Sequence, residues 1–342
     1  MFHRFTMQPQ EFYETIIAPV FADMAAEALG FNGTLGEFTV MNNVVSSKNI
    51  IDIRRHQNIM QRRDASCDIV FKNLFGASLR KVTTTEIYGA TKFCKNEFYQ
   101  GCLKEFREKD PVFAEKILPY FRSAINTDLT TNAYFGDTDR DADPDAQFST
   151  DLFDGVFKWI KMYQQAGIIP AGQSIAIGAV DYKANPAATY NLIKSMYDKQ
   201  PKLMKTFTKA QLAYYVSSEI LEAYEDYLNS TGQGNTNYIN DIVTGTQRRA
   251  YKGIAILEEP LWTPVITDIM GAEGYAAILT VRGNFIYATD QNYGEDDGSG
   301  TDKALIIWFD QDTFTWKYTM FLKSGAQIAL PEYIVYAISA FQ

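Results

Sequence analysis

Five apolar residues in a row, Leu212-Ala213-Tyr214-Tyr215-Val216, run directly into Ser217 and a helix-periodic stretch. No other part of the chain constrains its fold as strongly. Ser217 stands at an N-cap position, with Glu219 in the first turn. Ile220, Leu221, Tyr224 and Leu228 follow at helical spacing, and Gly232 lies beyond the end. After a polar Gly/Asn loop, Tyr251–Leu257 reads as a second strand. Further strand-like runs occupy Ala277–Val281, Phe285–Tyr287, Leu305–Phe309, Thr315–Phe321 and Gln327–Tyr336.

Upstream, Phe12, Ile16, Val20, Met24 and Ala28 mark a helix over 9–29 that Pro19 kinks or splits. Residues 38–45 read as a strand. Val82–Phe98, rich in Thr, Ile, Tyr and Phe and broken at Gly89, reads as an extended hairpin. Asp110-Pro111 opens a helix carrying Ile117, Phe121, Ile125, Leu129 and Ala133 on one face, which Gly136 stops. A helix is expected over Leu152–Ala166, closed by Gly167, then a short strand at Ile175–Ile177. Another helix runs from Asn185-Pro186 to Pro201.

Charge is unevenly spread. The chain of 342 residues has a net charge of −9, which argues against a free-standing nucleic-acid binder. Yet Lys48–Asp110 holds thirteen basic against eight acidic side chains, about +5, leaving about −14 elsewhere. Aromatic residues make up 14% of the chain, enough either to fill strands or to serve protein–protein contact. Cys67, Cys94 and Cys102 are odd in number and lack C-x-x-C spacing, which argues against a disulfide framework or zinc site and fits a reducing interior. The N-terminus shows no signal-peptide pattern, and no apolar run approaches the roughly 18 residues of a membrane span.

Catalytic chemistry finds little support. Only His3 and His56 could serve a Ser-His-Asp or Cys-His site, and His56 lies in the basic run Arg54-Arg55-His56. Glu258 and Glu259 are adjacent at a strand end, so their side chains should point to opposite faces, a poor acid–base pair. Gly232-Gln233-Gly234 lacks a following helix and third glycine, and no Walker pattern occurs. Asp137, Asp139, Asp141, Asp143 and Asp145 alternate, but the calcium-loop positions for Gly and Glu hold Ala142 and Phe148, or Pro144 and Thr150. This stretch reads as a solvated acidic loop, as does Glu295–Gly300. No cofactor, metal site or catalytic residue is expected.

The order of elements, namely strand-Ser-helix over 212–230, then Tyr251-Lys252-Gly253-Ile254, then strands around an Asn-containing turn, resembles tailed-phage major capsid proteins of the Hong Kong 97 type. The resemblance covers about two thirds of the chain by order and spacing of elements alone. It implies an α+β fold with an N-terminal arm (1–45) and an extended E-loop hairpin region (46–100) lying over the adjacent subunit. A spine helix of the peripheral domain (101–136), an axial domain (137–275) and return strands (276–342) complete it. The implied function is structural: a major capsid protein of a tailed phage or prophage, not an enzyme, whose pentamers and hexamers form an icosahedral head enclosing double-stranded DNA. Implied partners are further copies of the chain, with scaffolding, portal and decoration proteins and weakly contacted DNA, and no membrane. Assembly in the host cytoplasm and residence in the virion follow. An encapsulin-like nanocompartment shell shares the fold, and a soluble carboxylate-dependent enzyme is the alternative from another class. Arg54, Arg55, Arg62, Arg63, Arg80 and Lys81 are the candidate inter-subunit contacts, because a basic arm on an acidic neighbour is electrostatically complementary.

Overall fold

A computed structural model describes residues 37–55, 75–94, 110–141, 148–177, 181–233, 237–240, 247–270, 274–290, 305–310 and 315–339. The expected helix over 9–29, both histidines and the Glu295–Gly300 loop lie outside the described residues. In chain order the strands are β1 (Thr39–Met41), β2 (Ser47–Arg55), β3 (Phe75–Thr83), β4 (Thr85–Cys94), β5 (Leu212–Val216), β6 (Tyr238–Asn240), β7 (Gln247–Tyr251), β8 (Ile254–Glu258), β9 (Ala276–Val281), β10 (Phe285–Thr289), β11 (Leu305–Asp310), β12 (Thr315–Ile328) and β13 (Val335–Ile338). The helices are α1 (Asp110–Phe135), α2 (Val156–Gln165), α3 (Pro186–Asp198), α4 (Ser218–Ser230) and α5 (Trp262–Met270).

Strand β5 sits inside a six-stranded sheet of order β13-β9-β5-β8-β7-β6, parallel to β8 and antiparallel to β9. Its residues are all buried, and they alternate between two cores. Leu212, Tyr214 and Val216 face Ile193 and Met196 of α3 and Ile220 and Tyr224 of α4. Ala213 and Tyr215 face the other way, into a core shared with α1, α2, α5 and the second sheet. A strand covered on both faces must be apolar at every position, which is why Leu212–Val216 reads as an unbroken run.

The second sheet is built on β12, fourteen residues long. Strand β4 pairs along one edge, Thr85–Cys94 against Ser324–Thr315. Along the other edge β11 pairs with Thr315–Met320 and β10 with Ser324–Ile328. Strand β1 adds in parallel to β10. Helix α1 contributes Ile125, Leu129, Ala133 and Tyr134 to the common core, and α2 contributes Val156, Phe157 and Ile160. Trp159 Nε1 of α2 donates to the Ala326 carbonyl at 2.8 Å.

Several expected boundaries move. Tyr251–Leu257 is not one strand but two joined at Lys252-Gly253, whose φ values of +50° and +83° make the tight turn of a hairpin. Val82–Phe98 is no hairpin, because β4 passes through Gly89 unbroken, opposite Met320. A Cβ there would make only an ordinary contact, 3.9 Å from Ile125 of α1. The two C-terminal runs redistribute into β12 and the short β13, with the 3-10 turn Pro331–Tyr333 between them. The strand expected over 38–45 shortens to β1. Helix α2 begins at Val156, four residues late, because Asn132 Oδ1 takes the Leu152 N–H at 3.0 Å and the Gly136 carbonyl takes the Gly155 N–H at 2.8 Å. Ile175–Ile177 forms no strand; the contact is a single bridge at Ser174 with Tyr336.

Candidate functional site

The base of a two-stranded arm is set by two backbone bonds and one from a threonine hydroxyl. Val44 N–H reaches the Thr289 carbonyl at 2.8 Å, Thr84 N–H the Ser46 carbonyl at 3.0 Å, and Thr84 Oγ1 the Val44 carbonyl at 3.1 Å. From there β2 and β3 pair antiparallel, from Ser47 with Thr83 to Arg55 with Phe75. This hairpin, rather than Val82–Phe98, is the extended basic element.

Its two faces differ in kind. Ile50 and Val82 turn inward and are buried with Ile286 and Ala288 of β10. Arg80, opposite Ile50, follows them: Nη1 donates to the Ala329 carbonyl at 2.6 Å and Nη2 to Glu332 Oε1 at 2.8 Å. The outer face carries Ile51 directly opposite Leu79, which are 63% and 66% exposed. Lys81 on the same face is exposed. A second apolar pair, Tyr88 of β4 opposite Phe321 of β12, is 71% and 44% exposed, with ring centroids 6.4 Å apart. Its neighbours in register are Glu86 with Lys323 and Lys92 with Lys317. Ile87 and Leu322, one residue along, are buried, so one face of β4 and β12 is core and the other is open.

Of the six candidate contact residues, Arg80 and Lys81 stand on β3, the first bound inside the subunit and the second exposed. Arg54 and Arg55 end β2, and Arg62 and Arg63 lie outside the described residues. The charge count pointed to this region but carried no information on the face each side chain takes.

Three polar arrangements escaped the sequence. Ser217 does precede α4, yet its hydroxyl makes no cap bond. It donates to the Ala276 carbonyl at 3.0 Å and accepts the Ala276 N–H at 2.8 Å, pinning β9 to the end of β5. The first two aspartates of the acidic stretch after α1 meet a cation: Lys158 Nζ of α2 lies 2.7 Å from Asp137 and 2.9 Å from Asp139, and 2.8 Å from Asp154 ahead of α2. Burial opposes the charged form of Lys158, but the three carboxylates outweigh it and raise its pKa. Glu259 is buried while Glu258 is exposed, as expected of opposite faces, and Tyr134 OH donates to Glu259 Oε1 at 3.0 Å. Burial, foremost, pushes the Glu259 carboxyl up to about 8. Among the described residues no group of three His, Cys, Asp or Glu could hold a metal ion, and no helix is long and apolar enough to cross a membrane.

No protein-family model matches the chain, and no curated protein matches it in sequence. Solved structures do match in shape. A chain described as "Satellite phage P4 procapsid including size determination (Sid) protein" superposes with a TM-score of 0.56 at 10% identity, covering 94% of this chain and 99% of that one. "The capsid of Myoviridae Phage XM1" gives 0.52 at 13% identity, over 90% of this chain and 92% of that one. With both superpositions spanning nine tenths or more of each chain, this chain has the phage capsid protein fold of the Hong Kong 97 type.

Proposed function

We propose that the chain is a structural major capsid protein of a tailed phage or prophage, forming pentamers and hexamers of an icosahedral head that encloses double-stranded DNA. The observation that carries this reading is the β2–β3 arm, whose inner face rests on its own subunit while its outer face sets Ile51 against Leu79 with both largely exposed. A two-stranded element with one apolar face open gains stability by covering that face. The open face of β4 and β12, with Tyr88 and Phe321 at its centre, supplies an apolar counterpart on another copy. Aromatic and aliphatic anchors of this kind are typical of buried interface centres.

In this reading residues 1–45 form an N-terminal arm, 46–100 the arm region that overlies the neighbour, and 101–136 the spine helix of the peripheral domain. Residues 137–275 form the axial domain, and 276–342 complete both. Arg54, Arg55, Arg62, Arg63 and Lys81 are contact residues toward an acidic neighbour, while Arg80 secures the arm to its own subunit. Scaffolding, portal and decoration proteins are the further partners, DNA is touched weakly and without sequence preference, and the protein resides in the virion after assembly in the host cytoplasm. The chain acts mechanically, not as an enzyme.

The test is Ile51→Ser with Leu79→Ser. The double variant should keep the melting temperature of the dissociated subunit and lose particles in negative-stain microscopy. Particles formed at the parental yield would remove the arm's outer face from the interface.

A further inference from the structure

Residues 1–36 join the described fold at Glu37-Phe38, and the seat of these two residues is unusual. Phe38 is buried between Tyr134 of α1 and Phe285 of β10, with ring centroids 5.0 and 5.7 Å away. Tyr215 of β5 donates its hydroxyl to Glu37 Oε2 at 3.2 Å. The Tyr134 ring that forms one wall of this seat also lies edge-on to Trp262 of α5 at 5.2 Å, and its hydroxyl is committed to Glu259. Glu259 is only 3% exposed. Its backbone is fixed as well: its N–H donates to the Val216 carbonyl at 2.9 Å and its carbonyl accepts the Trp262 N–H at 3.1 Å. Glu259 therefore has no route to solvent without moving its neighbours.

The charged and titratable groups around it come from every adjoining element. They are Glu37 before β1, Tyr134 on α1, Tyr215 on β5, Arg248 on β7 and Glu258 at the end of β8. Arg282, in the β9–β10 turn, acts on Tyr215. Burial, Glu37 and Glu258 oppose a negative charge at Glu259, while the Tyr134 hydrogen bond and Arg248 favour it, so ionisation acts on the seat through Glu37 rather than by loosening Tyr134.

We propose that Glu259 and Tyr134 form a proton-operated latch that holds Glu37-Phe38 in its seat against the body of the subunit. With the Glu259 carboxyl neutral, Glu37 sits near it without repulsion and Tyr134 holds its ring in place. When Glu259 gives its proton to solvent, a buried carboxylate faces Glu37 across the two tyrosines. A charge in an apolar interior is costly, and like charges in low dielectric repel strongly. Glu37, half-exposed, is the partner free to swing outward, and it takes Phe38 out of the aromatic seat. The latch belongs to the folded chain and does not rest on shell formation.

The experiment is chymotrypsin cleavage after Phe38 in the full-length chain, compared at each pH with Glu259→Gln so that the protease's own pH dependence cancels. With the carboxyl titrating at about 8, the ratio of parental to variant cleavage should rise about tenfold between about pH 7 and about pH 9. A ratio that stays flat overturns the latch. In a second arm Glu37→Gln, which removes a charge that holds the Glu259 carboxyl up, should move the midpoint of the rise to lower pH. This arm is read directly against the parental chain, so an unmoved midpoint overturns the latch even where Glu259→Gln fails to fold.

Discussion

Arg80 and Glu332 stand 2.8 Å apart, nitrogen to oxygen, although 252 positions separate them in the chain. The pair ties the base of the β2–β3 arm to the turn between β12 and β13. Arg80 is 11% exposed and also holds the Ala329 carbonyl, whereas Glu332 is 34% exposed and partly solvated. Arg80→Ala should therefore cost about 1–2 kcal/mol, and Glu332→Gln less, since the Ala329 bond survives. Urea denaturation of the dissociated subunit measures both, and equal losses would make the ion pair rather than the carbonyl bond the main contact.

The arm leaves the second sheet where the β3–β4 junction, Thr83-Thr84, packs against Gly325 of β12. A Cβ at Gly325 would lie 2.0 Å from the Thr83 carbonyl oxygen, a backbone atom that can move only with the whole junction. Gly325→Ala should destabilise the subunit by about 2–4 kcal/mol, in the range of the larger single-residue losses. A melting temperature unchanged from the parent would show that the junction gives way freely.

Acid should act on the junction of α1 and α2. Burial alone would raise the carboxyls of Asp137 and Asp154, but their bonds to Lys158 win and both fall below the usual value. A lowered carboxyl pKa adds stability above the unfolded value of about 3.8 that is lost as pH falls through the folded value. Lys158→Met should thus be less stable than the parent at neutral pH, with the gap narrowing below about pH 4. A gap independent of pH would assign Lys158 a packing role instead.

The basic window offers a separate test. Reversal of Arg54, Arg55, Arg62 and Arg63 to Glu should lower particle yield in a salt-sensitive way while leaving circular dichroism of the subunit unchanged. Parental yield at every salt concentration would make these arginines a solvated face.

Much of this fold was legible because burial writes a pattern. The two-sided burial of β5 dictates Leu212–Val216, and the inward face of α1 sets the spacing of Ile125, Leu129 and Ala133, although residues 130–135 are buried around the whole helix. Positions set by tertiary geometry left no such trace. Gly89 breaks the strand pattern in sequence, yet β4 runs straight through it. Lys252-Gly253 is a tight turn without the Asn-Gly or Asp-Gly sequence that favours one. Ser217 has the composition of a cap, and its hydroxyl is taken by Ala276 across the sheet. Glu259 was read correctly as facing away from Glu258. Its partner Tyr134 lies 125 residues earlier, beyond any local signal. The basic count found the arm's neighbourhood but not its face, because alternation turns Arg80 inward and Lys81 outward.

The direct test of a capsid role is cryo-electron microscopy of the purified full-length protein at moderate salt. Closed shells or five- and six-membered rings of subunits are the predicted result. Discrete particles of subunit size, at concentrations where the chain is fully folded, would contradict it.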